Sequence, residues 1–281
     1  MKTLSEHRAF GGTLGIYEHG STTIGVNMRF AVFSPPQAEH STVPVLTYLA
    51  GLTCNEETFM TKSGALSYAA ELGLMLVAPD TSPRGDDVPD DPDGAWDFGI
   101  GAGFYLNATE APWNTHYQMY DYITIELAML VAERFSADAS RQGIFGHSMG
   151  GHGALTIGLK NPQTYSSISA FAPICSPIRC PWGQKALGNY LGRDESAWQD
   201  HDAAALAASV ATKPGNMILV DQGLSDQFLE TELHPHMLED ACEKNGIALD
   251  LRRHDGYDHG YYFISTFMGD HLRHHAAILN R

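Results

Sequence analysis

The sequence predicts an α/β fold in which a mainly parallel sheet is covered by helices on both faces. Two observations carry this prediction. Short apolar runs alternate along the chain with stretches of helical periodicity, and this alternation is typical of parallel sheets. The pentapeptide Gly146–Gly150 also stands between an apolar run and a helical stretch, as in a tight strand-to-helix turn. Because no repeat or low-complexity linker interrupts the pattern, we expect one domain over residues 1–281.

The predicted strands follow the chain in order. Residues 12–33 alternate between apolar and polar positions, which predicts two strands joined by a turn at residues 19–21. More continuous apolar runs are typical of strands that are covered on both faces. These runs are Val43–Leu49, Leu74–Ala78, Gly143–Phe145, Ser166–Phe171, Asn216–Val220 and Ile247–Arg253.

Predicted helices separate these strands. Residues 117–135 show the clearest helical pattern, because their apolar side chains recur on one stripe. Another helix begins near Asn55 and a further one ends at Gly73, both residues that favour helix ends. The remaining predicted helices cover residues 151–160, about 227–245 and 261–279.

A long irregular stretch covers residues 81–113 and contains several prolines. Five aspartates lie between residues 86 and 93, but the spacing of a calcium-binding EF-hand loop is absent. The second half, residues 95–106, is too aromatic for a disordered segment. Since long loops inside compact domains are often functional, we expect this half to pack beside the active site.

Composition excludes several classes of protein. A net charge of −16 from 17 basic and 33 acidic residues opposes binding to nucleic acid, because phosphates would be repelled. No stretch reaches 18 apolar residues and the N-terminus lacks an apolar signal region, so we expect neither export nor a membrane span. Four cysteines form no disulfide framework in a chain of this length, which favours reduced thiols in the cytoplasm.

We expect neither a cofactor nor a metal ion. Cys175 and Cys180 are five residues apart, which matches no common zinc-site spacing. His271, His274 and His275 share helical spacing, but they fall on a predicted C-terminal surface helix without a nearby cysteine. The expected partner is therefore a small-molecule substrate.

Ser148 is the candidate nucleophile, at the centre of Gly146-His147-Ser148-Met149-Gly150. A strand, this motif and a helix in that order are typical of a nucleophile elbow, which exposes the serine Oγ atom. The motif alone is a weak signal, because short glycine-rich patterns recur by chance. The alternative interpretation is a glycine-rich helix start with a capping serine.

A serine nucleophile needs a histidine base and a carboxylate that orients the histidine. In α/β-hydrolases these partners follow the serine in the order acid, then histidine, in loops after late strands. The first such loop contains Asp221 and Asp226, and we favour Asp226 because Asp221 directly adjoins the strand. The second contains His254 and His259, and we favour His259 for the same reason.

The oxyanion hole requires two backbone N–H donors. Met149, which follows the nucleophile, and Leu52, in the loop after an early strand, are the candidates. Cys54 should lie near the site without acting as the nucleophile. His147 and His152 are too close to Ser148 in sequence to serve as its base, so we interpret them as packing residues.

Several longer motifs resemble the S-formylglutathione hydrolase (esterase D) family almost from end to end. They lie at residues 51–54, 78–85, 101–109, 145–155, 180–186 and 256–263. The resemblance implies a cytosolic, dimeric serine hydrolase that cleaves a glutathione thioester during formaldehyde disposal. It also implies that Ser148 is the nucleophile, Asp226 the acid and His259 the base. Family members often carry a charged residue where Leu224-Ser225 stand here, and residues 86–93 are unusually acidic.

Substrate recognition is harder to predict. The glutathione part of such a substrate carries two carboxylates, so a protein of charge −16 needs a local cation. Arg84 and Lys185 are the candidates for this cation, and Trp182 is a candidate apolar wall beside them. Two other functions stay open on the residues alone, a general carboxylesterase or acyltransferase and a binding module without catalysis.

Overall fold

The structure, a computed structural model, describes residues 1–281 and contains one nine-stranded sheet. The strands are β1 (Lys2–Ala9), β2 (Gly12–Gly20), β3 (Asn27–Ser34), β4 (Val43–Leu49), β5 (Met75–Pro79), β6 (Ala137–His147), β7 (Tyr165–Phe171), β8 (Ile218–Gly223) and β9 (Leu249–His254). Their order across the sheet is β1-β2-β3-β5-β4-β6-β7-β8-β9. The pairs β1–β2, β2–β3 and β3–β5 are antiparallel and all the others are parallel. The predicted mainly parallel sheet is therefore confirmed.

Ten α-helices connect the strands. They are α1 (Glu56–Lys62), α2 (Ala65–Leu72), α3 (Met119–Asp121), α4 (Ala128–Arg134), α5 (Met149–Lys160), α6 (Pro181–Tyr190), α7 (Glu195–Trp198), α8 (Ala203–Ser209), α9 (Pro235–Asn245) and α10 (Tyr261–Leu279). Two π-helical segments, Tyr122–Leu127 and Leu229–Leu233, precede α4 and α9. Short 3-10 turns cover Pro36–Glu39, Trp113–Thr115, Pro177–Arg179 and Gln199–His201. No helix is both long and apolar enough to cross a membrane.

Helices cover both faces of the sheet, as alternate residues of β7 show. Ser167 and Ser169 hydrogen-bond with His275 of α10. Between them, Ile168 packs against Gly158 of α5. Successive side chains of a strand point to opposite faces, so α5 and α10 lie on opposite sides of the sheet. A continuous core of 76 buried residues joins these layers.

The prediction of a surface position for the C-terminal histidines was wrong. His271 and His275 are fully buried, and His274 is half-buried. The two buried rings hydrogen-bond with serine hydroxyls of β7, including Ser169 Oγ at 2.8 Å from His271 Nδ1. Buried imidazoles are tolerated when their polar atoms have such partners. The sequence pattern does not show which polar residues will find one.

Other differences concern the edges and connections of the fold. β1 was not predicted, because most of its residues are exposed and do not alternate. The helices α6, α7 and α8 were also missed, and the last two comprise only four and seven residues. The helix predicted over residues 117–135 is interrupted by the π-helical segment Tyr122–Leu127. Residues 81–112 contain no helix or strand, in agreement with the predicted irregular stretch.

Candidate active site

The turn between β6 and α5 holds Ser148 in a conformation that is rare for a residue with a side chain. Its backbone angles are φ 57° and ψ −119°, a strained combination that costs about 1–3 kcal/mol. A Cβ atom at Gly150 would overlap the carbonyl oxygen of Leu49, and one at Gly146 would overlap Gly150. Glycines on both sides of the serine are therefore required for the close approach of β4, β6 and α5.

Backbone hydrogen bonds hold this turn in place. The Ser148 N–H donates to the Phe171 carbonyl at the end of β7, at 3.0 Å. The Ser148 carbonyl accepts from the His152 N–H at 2.9 Å and from the Ile174 N–H at 3.3 Å. The side chain of Ser148 makes no capping hydrogen bond, so it is not an ordinary helix cap. Its hydroxyl is left available for chemistry.

Asp226 and His259 come together from two different loops at the carboxyl end of the sheet. The His259 Nδ1 atom lies 2.6 Å from Asp226 Oδ2, and the Asp226 side chain is fully buried. The other carboxylate oxygen accepts the Phe228 N–H at 2.9 Å. Because Nδ1 is bonded to the carboxylate, Nε2 is the nitrogen of His259 that remains for proton transfer.

Asp221 and His254, the less favoured candidates, lie in a separate cluster. The Nε and Nη2 atoms of Arg252 both donate to the Asp221 carboxylate at 2.6 Å. His254 Nε2 lies 3.2 Å and His271 Nε2 3.3 Å from the same carboxylate. Burial would raise the pKa of Asp221, but hydrogen bonds from His271 and Arg252 hold that pKa well below its ordinary value. Asp221 is therefore a buried structural anion.

One pocket of about 450 Å³ brings several of the predicted site residues together. Its lining comprises Gly51, Leu52, Cys54, Trp96, His147, Ser148, Trp182, Phe228, His259 and Tyr261. It therefore contains the candidate nucleophile, the candidate base and the predicted oxyanion loop. Residue 96 in the lining agrees with the prediction that the aromatic half of the long loop packs beside the site.

Two backbone N–H groups near Ser148, those of Met149 and Leu52, are the candidates for the oxyanion hole. Met149 is the first residue of α5, so its N–H has no acceptor within the helix. The Leu52 N–H makes no hydrogen bond within the protein, whereas the next residue, Thr53, donates to the Gly101 carbonyl at 3.0 Å. The Tyr105 hydroxyl donates to the Ala50 carbonyl at 2.8 Å, which anchors the start of the loop that contains Leu52. The loop is thus anchored while its Leu52 donor stays free.

An aromatic wall extends outward from His259. The Phe228 ring lies edge-on to the His259 ring at 5.0 Å between centroids, and Trp182 lies 4.7 Å from Phe228. Trp96 contacts Trp182 at 5.4 Å and an interplanar angle of 80°. Trp182 was predicted as an apolar wall, and Trp96 belongs to the segment that was predicted to pack beside the site. Phe228 was missed because no local pattern indicates that distant segments meet at one pocket.

The two predicted substrate cations are already paired with carboxylates and do not line the pocket. The Arg84 Nε atom donates to Asp80 at 2.7 Å, and its Nη2 atom donates to Asp80 at 3.0 Å and to the Cys54 carbonyl at 3.2 Å. Lys185 Nζ donates to Asp97 at 2.8 Å. Both cations therefore brace loops around the pocket.

His147 and Cys54 lie beside the candidate triad. The His147 ring is 4.5 Å from the His259 ring, and neither of its nitrogens has a hydrogen-bond partner. Burial and the neighbouring His259 lower the pKa of His147 well below its ordinary value, so the ring is neutral. Burial also raises the pKa of the Cys54 thiol, which disfavours the nucleophilic thiolate. Both observations agree with the non-catalytic interpretation of these residues.

Comparison with known proteins relates the whole chain to an established group. The Esterase family model matches residues 21–274. An S-formylglutathione hydrolase of Rattus norvegicus is 51% identical over 281 residues, which cover 100% of this chain and 99% of the relative. The corresponding protein of Bos taurus is 50% identical over 283 residues and covers the same shares of the two chains.

Solved structures agree with the sequence relatives. An S-formylglutathione hydrolase from Agrobacterium tumefaciens aligns with a TM-score of 0.97 and 53% identity, covering 99% of this chain and 100% of that one. A fluorophosphonate-binding serine hydrolase of Staphylococcus aureus shares the fold at a TM-score of 0.74 and 19% identity, covering 94% and 98% of the two chains. At that identity the second likeness concerns the fold alone.

Proposed function

This chain belongs to the S-formylglutathione hydrolase family of serine esterases, and we propose that it hydrolyses S-formylglutathione to formate and glutathione. In this proposal Ser148 is the nucleophile, His259 the base and Asp226 the acid. The observation that carries this proposal is the 2.6 Å hydrogen bond from His259 to the buried Asp226 carboxylate. His259 lines the same pocket as Ser148.

The acylation step begins when Ser148 Oγ attacks the formyl carbonyl carbon. His259 accepts the hydroxyl proton at Nε2, and the developing imidazolium is stabilised by the Asp226 carboxylate. The N–H groups of Leu52 and Met149 donate to the oxyanion. When the C–S bond breaks, His259 returns the proton to the departing thiolate, which leaves glutathione and a formyl ester on Ser148.

The deacylation step repeats the same proton transfers with water. His259 removes a proton from water as the water oxygen attacks the formyl ester. Collapse of the second tetrahedral intermediate breaks the bond from the formyl carbon to Ser148 Oγ, and His259 protonates the serine. The products are formic acid, which ionises to formate, and the free enzyme. No cofactor or metal ion takes part in this scheme.

The biological setting is part of the same proposal. S-formylglutathione forms from formaldehyde and glutathione in an oxidising step, so its hydrolysis would complete formaldehyde detoxification. We place the enzyme in the cytoplasm, where glutathione is abundant and the free thiols of this chain stay reduced. We also expect a homodimer, as the family resemblance implies.

The test is to follow formate and glutathione release from S-formylglutathione and to compare it with hydrolysis of simple esters. We expect the two products in equal amounts and a kcat/KM well above that for simple esters. Rapid quenching should trap a species heavier by one formyl group, located on the Ser148 peptide. Preferential hydrolysis of simple esters, with little formate from the glutathione thioester, would instead indicate a general carboxylesterase.

A further inference from the structure

Residues 86–97, called the acidic loop below, are joined to helix α6 by two adjacent contacts at the rim of the pocket. Lys185 Nζ lies 2.8 Å from Asp97 and 3.4 Å from Asp91, whose side chains are 18% and 9% exposed. One helical turn earlier, Trp182 contacts Trp96, which directly precedes Asp97 in sequence. Residues three apart lie on the same face of a helix, so α6 holds the loop through an ion pair and an aromatic contact side by side.

The ion pair neutralises two carboxylates of the loop beside α6. Burial disfavours the charged lysine, yet the hydrogen bonds and charges of Asp97 and Asp91 raise the pKa of Lys185. Without this cation the two carboxylates would face each other beside the further aspartates of residues 86–93. Like charges at such short separations repel, and the loop would move away from α6. Lys185 is thus committed to the loop and is not a free cation for the substrate.

Trp96 is the exposed end of the aromatic wall. It is 54% exposed although it lines the same pocket as Ser148, so a bound molecule could cover much of its ring. Large aromatic side chains left open at a pocket are typical contact points for ligands. The wall runs from Trp96 through Trp182 and Phe228 to His259.

The direction of the wall identifies the part of the substrate that it would contact. His259 delivers its proton to the leaving sulfur, so the sulfur must lie next to His259 and Phe228. A second cleft, of about 630 Å³, also includes Phe228 and His259 and adds the polar residues Ser225, Gln227 and Asp258. The space beside the leaving group is therefore apolar near the sulfur. Farther from the sulfur it is polar and open, which suits a leaving group that is a peptide thiol.

We propose that Trp96 contacts the thiol side of the substrate and that Lys185, by pinning the acidic loop, is the residue that positions Trp96. The proposal rests on the function proposed above. Because the sulfur lies next to His259 and Phe228, Trp96 at the outer end of the wall would contact the peptide part of the thiol, which a smaller thiol lacks. Trp96 and Lys185 would therefore set the preference for a glutathione leaving group over a smaller thiol.

The experiment compares two thioesters with the same formyl group, S-formylglutathione and the S-formyl ester of 2-mercaptoethanol. Trp96→Ala and Lys185→Ala should each raise KM for S-formylglutathione about tenfold, with little change in kcat, and leave the small thioester almost unaffected. Lys185→Arg, which keeps the charge, should restore most of the preference. Arg253→Ala, which breaks the exposed ion pair with Glu239, is the matched control. It should change neither KM nor kcat for either thioester.

Binding of S-methylglutathione, a thioether that cannot be hydrolysed, supplies a second readout by calorimetry. Its affinity should fall in Trp96→Ala and Lys185→Ala and recover in Lys185→Arg. Equal losses on both thioesters, or unchanged affinity for the thioether, would overturn the inference while the proposed function stands. If the wild type releases no formate from S-formylglutathione, the proposed function is wrong and this inference fails with it.

Discussion

Asp226 and His259 are joined by a hydrogen bond of 2.6 Å, although 33 residues separate them in sequence. The Asp226 carboxylate is buried and forms no ion pair with a lysine or an arginine, so its negative charge acts mainly on the His259 imidazole. Asp221, five residues earlier, instead accepts hydrogen bonds from the Nε and Nη2 atoms of Arg252. Asp221 in β8 and Asp226 in the loop that follows it therefore have different partners, and this difference predicts different consequences of their substitution.

Replacing the two aspartates should separate catalysis from stability. Asp226→Asn should lower kcat by about 10³-fold or more, because the amide would favour the wrong tautomer of His259. Asp221→Asn should leave kcat nearly unchanged and reduce the free energy of unfolding by about 1.5–3 kcal/mol, since Arg252 would lose its buried partner but keep Asp270. Steady-state kinetics and denaturant unfolding measure the two effects. The reverse pattern would mean that Asp221 is the acid.

Substitution of the nucleophile should abolish turnover without disturbing the fold. Ser148→Ala should lower kcat by about 10⁴ to 10⁶, because the acyl-enzyme is expected to form on the Ser148 Oγ atom. A fluorophosphonate probe should label only the Ser148 peptide of the wild type, as mass spectrometry would show. Circular dichroism of the variant controls for folding. Probe attachment at another residue would disprove the assignment.

Thiol reagents should inactivate the enzyme through Cys54 by blocking the pocket. Cys54 is half-buried in the pocket lining, whereas Cys175, Cys180 and Cys242 are buried. Because burial raises the pKa of Cys54, alkylation should be slow at neutral pH and accelerate as the pH rises. Cys54→Ser should remain active and resist a bulky maleimide. Loss of activity in Cys54→Ser would mean that the thiol takes part in the chemistry.

The stability of the fold should fall at mildly acid pH through buried histidines. Burial lowers the pKa of His152 from 6.5 to about 3. The unfolded chain therefore takes up a proton that the folded chain does not, and stability present above pH 6.5 is lost progressively as the pH falls towards 3. This group contributes a slope of up to about 1.4 kcal/mol per pH unit. His152→Gln should flatten the pH dependence of the unfolding free energy by that amount relative to wild type. An unchanged slope would show that His152 is protonated in the folded state.

Much of the fold could be predicted because strand and helix periods are local properties of the chain. The apolar runs at Val43–Leu49 and Ser166–Phe171 correspond closely to β4 and β7. The edge strand β1 could not be predicted, since an exposed strand needs no apolar alternation. The buried positions of His271 and His275 could not be predicted either, because they depend on serines about 100 residues away.

The sequence by itself determined the chemistry: a serine in a glycine-flanked turn, followed in order by loops that offer an aspartate and a histidine. These signals are local, because the turn demands glycines and the loops follow strands of recognisable pattern. Only the tertiary structure decided which aspartate meets the histidine, that Lys185 is bound to the acidic loop, and that Phe228 lines the pocket. Those outcomes depend on distances between segments far apart in the chain, and charge pairing and aromatic packing at such distances leave no periodic trace in the sequence.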